Sequence, residues 1–299
     1  MDDACIAIQT SPDHTLLKIF AALLFLIPPV AEAAKLLPFY VGQQQYRFDK
    51  SDPRCRDHGL CSYERYAADG GHDYSLNFIE FKDDGKLFDD KQLDAAREQV
   101  RAARANGQAM IFIYIHGWHN NAERRGQKQT ADCADNLYDG DVAKFANCGL
   151  KVLAANSPPT ASGAPPRVVG IYLAWHGTDF GWPPFYYVPS YPFRRHFARK
   201  VGQTGMANAL QSIFAVIQEQ RNSYFVIAMG HSFGARVLEA ADEIVDPNYP
   251  DAGIIKKIRL GQGPALSRLP VDMIFYVNAA TSNSLSLRAI KDWNEACAS

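Results

Sequence analysis

The five residues Gly230-His231-Ser232-Phe233-Gly234 could carry nucleophilic chemistry. They follow the apolar run Ser223–Met229 and precede Ala235–Val245, whose apolar positions recur at helical spacing. A serine at a sharp strand-to-helix turn projects its hydroxyl over the sheet. Small residues are needed on either side because Cβ atoms would clash there. The helix that begins beneath it supplies backbone N–H donors and positive potential for a developing oxyanion. A serine hydroxyl is a weak nucleophile unless a base takes its proton, and that base is most often a histidine. No histidine follows His231 in the 299 residues. His231 itself adjoins the serine, and the turn directs the two side chains apart.

A second feature is "IFIYIHGWHNNA", residues 111–122, an apolar strand ending in His116-Gly117. His116 is read as structural, tying the loop down through its ring nitrogens, and His119 as a loop or solvent residue. Together with "HDYSLNFIEFKDDGKLFDDKQLDAA", "VVGIYLAWHG" and "MGHSFGAR" in this order, the strand resembles exported bacterial α/β-hydrolases of the esterase/lipase-like type, from about Tyr74 onward. The resemblance implies the α/β-hydrolase fold, a mostly parallel sheet with helices on both faces. It implies serine-dependent hydrolysis of a small-molecule or lipid ester, with no cofactor and no metal. Ser232 would attack, while the backbone N–H groups of Trp118 and Phe233 would receive the oxyanion. Gly230, His231 and Gly234 would form the nucleophile elbow, and His116 and Gly117 would support the oxyanion loop. Relatives often carry Arg where this chain has His176.

The resemblance also orders the strands: the His-Gly strand third, "GIYLAW" fourth, the serine strand fifth and "IFYVNAA" sixth. The family's acid follows the seventh or sixth strand and its histidine the eighth. After "IFYVNAA" comes "TSNSLSL", without an acid, and the next acid is Asp292. The expectation is therefore a domain over residues 34–299 whose last strands are missing, with little or no turnover and with "DMIFYV" left as a sheet edge. His176 is expected two strands from the serine, separated from it by the third strand. His196 is expected in a segment that could form a lid. The alternative is a non-catalytic exported binding or scaffold protein. The stretch "FGWPPFYYVPSYPF", 180–193, is read as no regular element. Its Trp182, Phe185 and Tyr186 form either a substrate wall or a loop core of rings packed on one another.

The elements around these motifs follow from periodicity. "YSLNFIEF", "AMIFIYI", "RVVGIYLAW" and "DMIFYV" read as strands, the continuous apolar ones as buried parallel strands. "DDKQLDAAREQVRAARANG" and "GMANALQSIFAVIQEQ" read as helices, and "LKVLAAN" as further helical structure. Strands alternating with helices predict βαβ units, with sites at the carboxyl ends of the strands.

Net charge −1 and scattered Lys and Arg give no footprint for nucleic acid. Residues 1–33 read as a secretory signal peptide with cleavage after Ala33, and an acidic stretch precedes its apolar part. The apolar run is short for a stable membrane span. A periplasmic or secreted protein is expected, an uncleaved membrane tether being the alternative. Cys55 with Cys61, and Cys133 with Cys148, are candidate disulfides. A metal site on "CRDHGLC" using His58 is the other reading of the first pair, and Cys297 is left over.

Overall fold

The chain separates into two units, Met1–Val41 and Gly42–Ser299. A computed structural model describes residues 44–67, 72–118, 120–123, 141–160, 163–177, 187–242 and 270–280, all in the second unit.

Six strands form one mixed sheet: β1 (Tyr63–Tyr66), β2 (Tyr74–Phe81), β3 (Ala109–Ile115), β4 (Arg167–Trp175), β5 (Tyr224–His231) and β6 (Met273–Val277). Their order is β1-β2-β4-β3-β5-β6, with β1 antiparallel to β2 and every other pairing parallel. The expected separation of the "GIYLAW" strand from the serine strand by the His-Gly strand is therefore observed. β2 is buried along its whole length and β4 at all but its first residue; β4 is the apolar run of a strand covered on both faces, whereas β2 also buries Ser75, Asn77 and Glu80.

Helix α1 (Pro53–His58) precedes β1. Helix α2 (Asp90–Ala103) begins at Asp89, whose carboxylate accepts the Lys91 N–H at 3.0 Å. Its Ala96, Val100 and Ala103 are buried one turn apart. Helix α3 runs through Asp141–Lys144, a π-helical Phe145–Leu150 and Lys151–Asn156. Helix α4 runs through Tyr187–Val201, a π-helical Gly202–Met206 and Ala207–Gln218, and α5 spans Phe233–Asp242. One sheet face, with Ile111, Ile113, Leu173, Val226 and Ala228, packs with core residues of α2, α4 and α5. The other, with Leu76, Phe78, Tyr114 and Tyr172, packs with Phe145 and Leu150 of α3. Burial on both faces follows from helices alternating with strands.

One expectation changes and one of the expected disulfides is observed. The aromatic stretch 180–193 is not wholly irregular, because α4 already begins at Tyr187. Pro189 falls in its first turn, where the missing N–H costs nothing. Cys55 and Cys61 are disulfide-bonded with Cα atoms 4.8 Å apart, which takes both thiolates away from the metal reading. Cys148 is also disulfide-bonded, and Cys133, its expected partner, lies outside the described residues. Among the described residues no helix is long and apolar enough to cross a membrane.

Candidate active site

The turn after β5 has the backbone that the motif predicts. Ser232 has φ 54°, the left-handed region that a non-glycine residue enters only under constraint. β5 ends at His231 and α5 begins at Phe233, so this residue alone makes the strand-to-helix reversal. The glycines are explained by close approach. A Cβ on Gly230 would lie 2.5 Å from Ala235 Cα, and one on Gly234 would lie 2.1 Å from the Ile115 carbonyl oxygen. β6 pins the turn from the other side. The Ser232 N–H donates to Val277 O at 2.9 Å, and Ser232 O accepts from Ala280 N–H at 3.2 Å.

The loop after β3 rests against this turn. A Cβ on Gly117 would stand 3.0 Å from Ser232 Cβ and 3.1 Å from His231 O. The parallel register explains the meeting: Ile115, the last residue of β3, is level with Gly230. Both chains therefore leave the sheet side by side at its carboxyl end. Trp118 follows Gly117 and its ring lies 6.0 Å from that of Phe233. The Phe233 ring also meets Trp175, at 6.4 Å edge to face.

His116 is committed to holding this loop. Its Nε2 accepts the Trp175 backbone N–H at 3.1 Å. Its Nδ1 therefore carries the proton and donates to Gly117 O at 2.8 Å. The Trp175 indole N–H returns a bond to His116 O at 2.9 Å, and the two rings stack 7° from parallel. Burial pushes the His116 pKa down, against the opposing pull of the Asp141 carboxylate. With both ring nitrogens engaged and no exposure, His116 is a structural clamp and not a base.

That burial gives a pH prediction. The unfolded chain takes up the His116 proton below the ordinary value of 6.5, while the folded protein resists it. Its stability contribution is complete above that value and is lost as the pH falls towards the lower folded pKa. Melting temperatures measured from about pH 7.5 to about pH 5 should fall more steeply for the parent protein than for His116→Gln. Equal slopes would contradict the assignment.

His176 is likewise engaged. Arg194 Nη1 lies 3.3 Å from His176 Nδ1 and donates to His176 O at 2.7 Å. Asp83 lies 3.4 Å from the same guanidinium nitrogen and 3.8 Å from His176 Nδ1. The resulting Asp83–His176–Arg194 cluster is buried and joins the end of β4 to α4 and to the turn after β2.

Sequence reading placed His176 at its strand end but gave no sign of Asp83 or Arg194, which are 111 residues apart. It also missed Arg47, whose fully buried guanidinium donates to Ala122 O, in the loop beyond Trp118, at 2.6 Å. His196 lies on α4, where burial together with Lys200 and Arg199 lowers its pKa. His231 keeps a buried Nδ1 without a hydrogen-bond partner. Among the described residues no side chain hydrogen-bonds Ser232 Oγ, and no group of acidic, histidine or cysteine side chains is arranged to hold a metal. His119, Trp182, Phe185 and Tyr186 lie outside the described residues.

The site thus joins a strained serine, a helix N-terminus and a clamped loop at the carboxyl end of a mostly parallel sheet. No family model matches this chain, and neither does any curated protein or solved structure.

Proposed function

We propose that the chain carries a serine hydrolase site for carboxylic esters on an α/β-hydrolase fold, with low turnover in the 299-residue chain. The observation that carries this reading is the positive φ of Ser232 at the β5–α5 turn. Strain of this kind at a strand-to-helix reversal serves to present a hydroxyl. The strand order β4-β3-β5-β6, with the His-Gly loop one strand from the serine, supports the fold.

In this reading Ser232 Oγ bonds to the ester carbonyl carbon and the carbonyl oxygen becomes an oxyanion. The Phe233 N–H opens a helix and the Trp118 N–H sits on the loop that His116 clamps, and both would face that oxygen. Each such donor is worth roughly 2.7–4 kcal/mol in the transition state. The alcohol leaves with a proton, and water then releases the acid from the acyl-serine. The Oγ proton needs an acceptor as the bond forms, and among the described residues no side chain hydrogen-bonds it. Export to an oxidising compartment, periplasmic or secreted, belongs to the same proposal and is supported by the disulfide-bonded Cys55, Cys61 and Cys148.

The test is release of p-nitrophenol from a short-chain p-nitrophenyl ester, with and without added imidazole. A general base is worth about 10²–10⁴-fold. Turnover should therefore be slow alone and rise at least about tenfold with imidazole, beyond the imidazole background. Ser232→Ala should remove the whole protein-dependent part. Equal rates for parent and Ser232→Ala would leave the non-catalytic binding reading in possession of the site.

A further inference from the structure

A small cavity lies at the carboxyl ends of β2 and β4, on the side of β3 away from the serine strand. Tyr46, Glu80, Phe88, Asn121, Trp175 and His176 are among its lining residues. Its volume is about 10 Å³, close to the least that holds one water molecule. Asn121, in the loop beyond Trp118, is only 6% exposed. Its Oδ1 accepts the Glu123 N–H at 2.7 Å, which fixes the orientation of the amide. The other amide atom, Nδ2, is buried and has no hydrogen-bond partner. Turning the amide over would set one donor against another and cure nothing. Glu80 is also buried. Its Oε2 accepts two N–H groups, from Arg47 at 2.8 Å and from Gln92 at 3.0 Å. Its Oε1 accepts one, from Tyr46 at 2.8 Å. A carboxylate oxygen has two lone pairs, so Oε1 can take a further donor.

We infer that this cavity is the binding site of one ordered water, which accepts from Asn121 Nδ2, donates to Glu80 Oε1, and so fastens the loop after β3 to β2. The two groups select the occupant. A cation would face the amide N–H and leave it unpaired. An anion would face the carboxylate. Water accepts and donates at once, and a larger hydroxyl compound exceeds the volume. A buried amide donor without a partner is costly, and a bridging water removes that cost. The water would add to a direct fastening of the same loop, since Arg47 Nε donates to Ala122 O at 2.6 Å. The inference does not depend on Ser232 having any activity.

A crystal structure of the full chain, at a resolution that shows ordered waters, tests this directly. It should show one density peak at about 2.7–3.2 Å from both Asn121 Nδ2 and Glu80 Oε1. Relaxation dispersion of the water oxygen nucleus, which counts long-lived internal waters, tests it in solution. Asn121→Leu removes the donor and fills the space. It should lose one such water while keeping the parent's far-ultraviolet circular dichroism. If that variant does not fold, the crystal structure decides alone. Three results overturn the inference: a dry cavity, a direct bond from Asn121 Nδ2 to a protein acceptor, or equal water counts in the two folded proteins.

Discussion

Gly234→Ala should destabilise the protein by about 3 kcal/mol or more, lowering its melting temperature by roughly 6–12 °C for a domain of this size. The added methyl would stand 2.1 Å from Ile115 O and 2.5 Å from His116 O. Both are backbone oxygens of the central strand and its exit, so no side chain can rotate out of the way. The relief open to the protein is to lift α5 off β3, which separates the loop of Trp118 from the turn of Ser232. Gly59→Ala is the control. Gly59 also has a positive φ, 64°, but nothing lies within 4 Å of its added Cβ. It should cost only the left-handed backbone penalty, about 1 kcal/mol. Urea midpoints of the two variants check the difference, and equal losses would contradict the close approach of α5 to β3.

The second large effect is expected at Arg47. Its guanidinium donates to Glu64 at 2.6 Å and to Cys61 O at 3.4 Å, and lies 3.7 Å above the Phe78 ring. Its backbone N–H donates to Glu80 at 2.8 Å. Glu80 is itself buried, and burial raises its pKa despite bonds from Gln92, Tyr46 and Arg47. Arg47→Met keeps much of the apolar stem but leaves the Glu64 carboxylate and Ala122 O without their charged donor. Removing one partner of a buried pair costs about 3–5 kcal/mol. Arg47→Lys retains the charge without the fork and should fall between parent and Met. Chemical denaturation gives the ranking, and a Met variant as stable as the parent would mean that Arg47 contributes packing alone.

The regular elements were legible wherever periodicity was strong. "RVVGIYLAW" coincides with β4 because a strand buried on both faces reads as an apolar run, and "YSLNFIEF" coincides with β2 through its partial alternation, although its Ser75, Asn77 and Glu80 are buried as well. The serine turn was legible because the chemistry of a tight reversal demands glycine at fixed offsets, and the backbone angle at Ser232 agrees. The structural role of His116 was also readable, since the residue ends a buried strand beside a glycine. What was not legible shares one physical cause. Arg47, Asp83 and Arg194 are buried cations and an acid whose partners come from distant strands and helices, and their local sequence reads as ordinary polar surface. The start of α4 was hidden for another reason. Pro189 and Pro192 argue against a helix by composition, yet Pro189 falls in the first turn, where a proline is tolerated.

The central claim is that Ser232 is a nucleophile poised by its turn but lacking a base among the described residues. The most direct measurement is reaction of the full chain with a fluorophosphonate, followed by mass-spectrometric mapping of the phosphonylated residue. The account predicts a single adduct at Ser232, formed slowly and accelerated at least about tenfold by imidazole. No adduct at Ser232, with or without imidazole, would contradict the nucleophile. Rapid labelling without imidazole, lost in Ser232→Ala, would contradict the missing base.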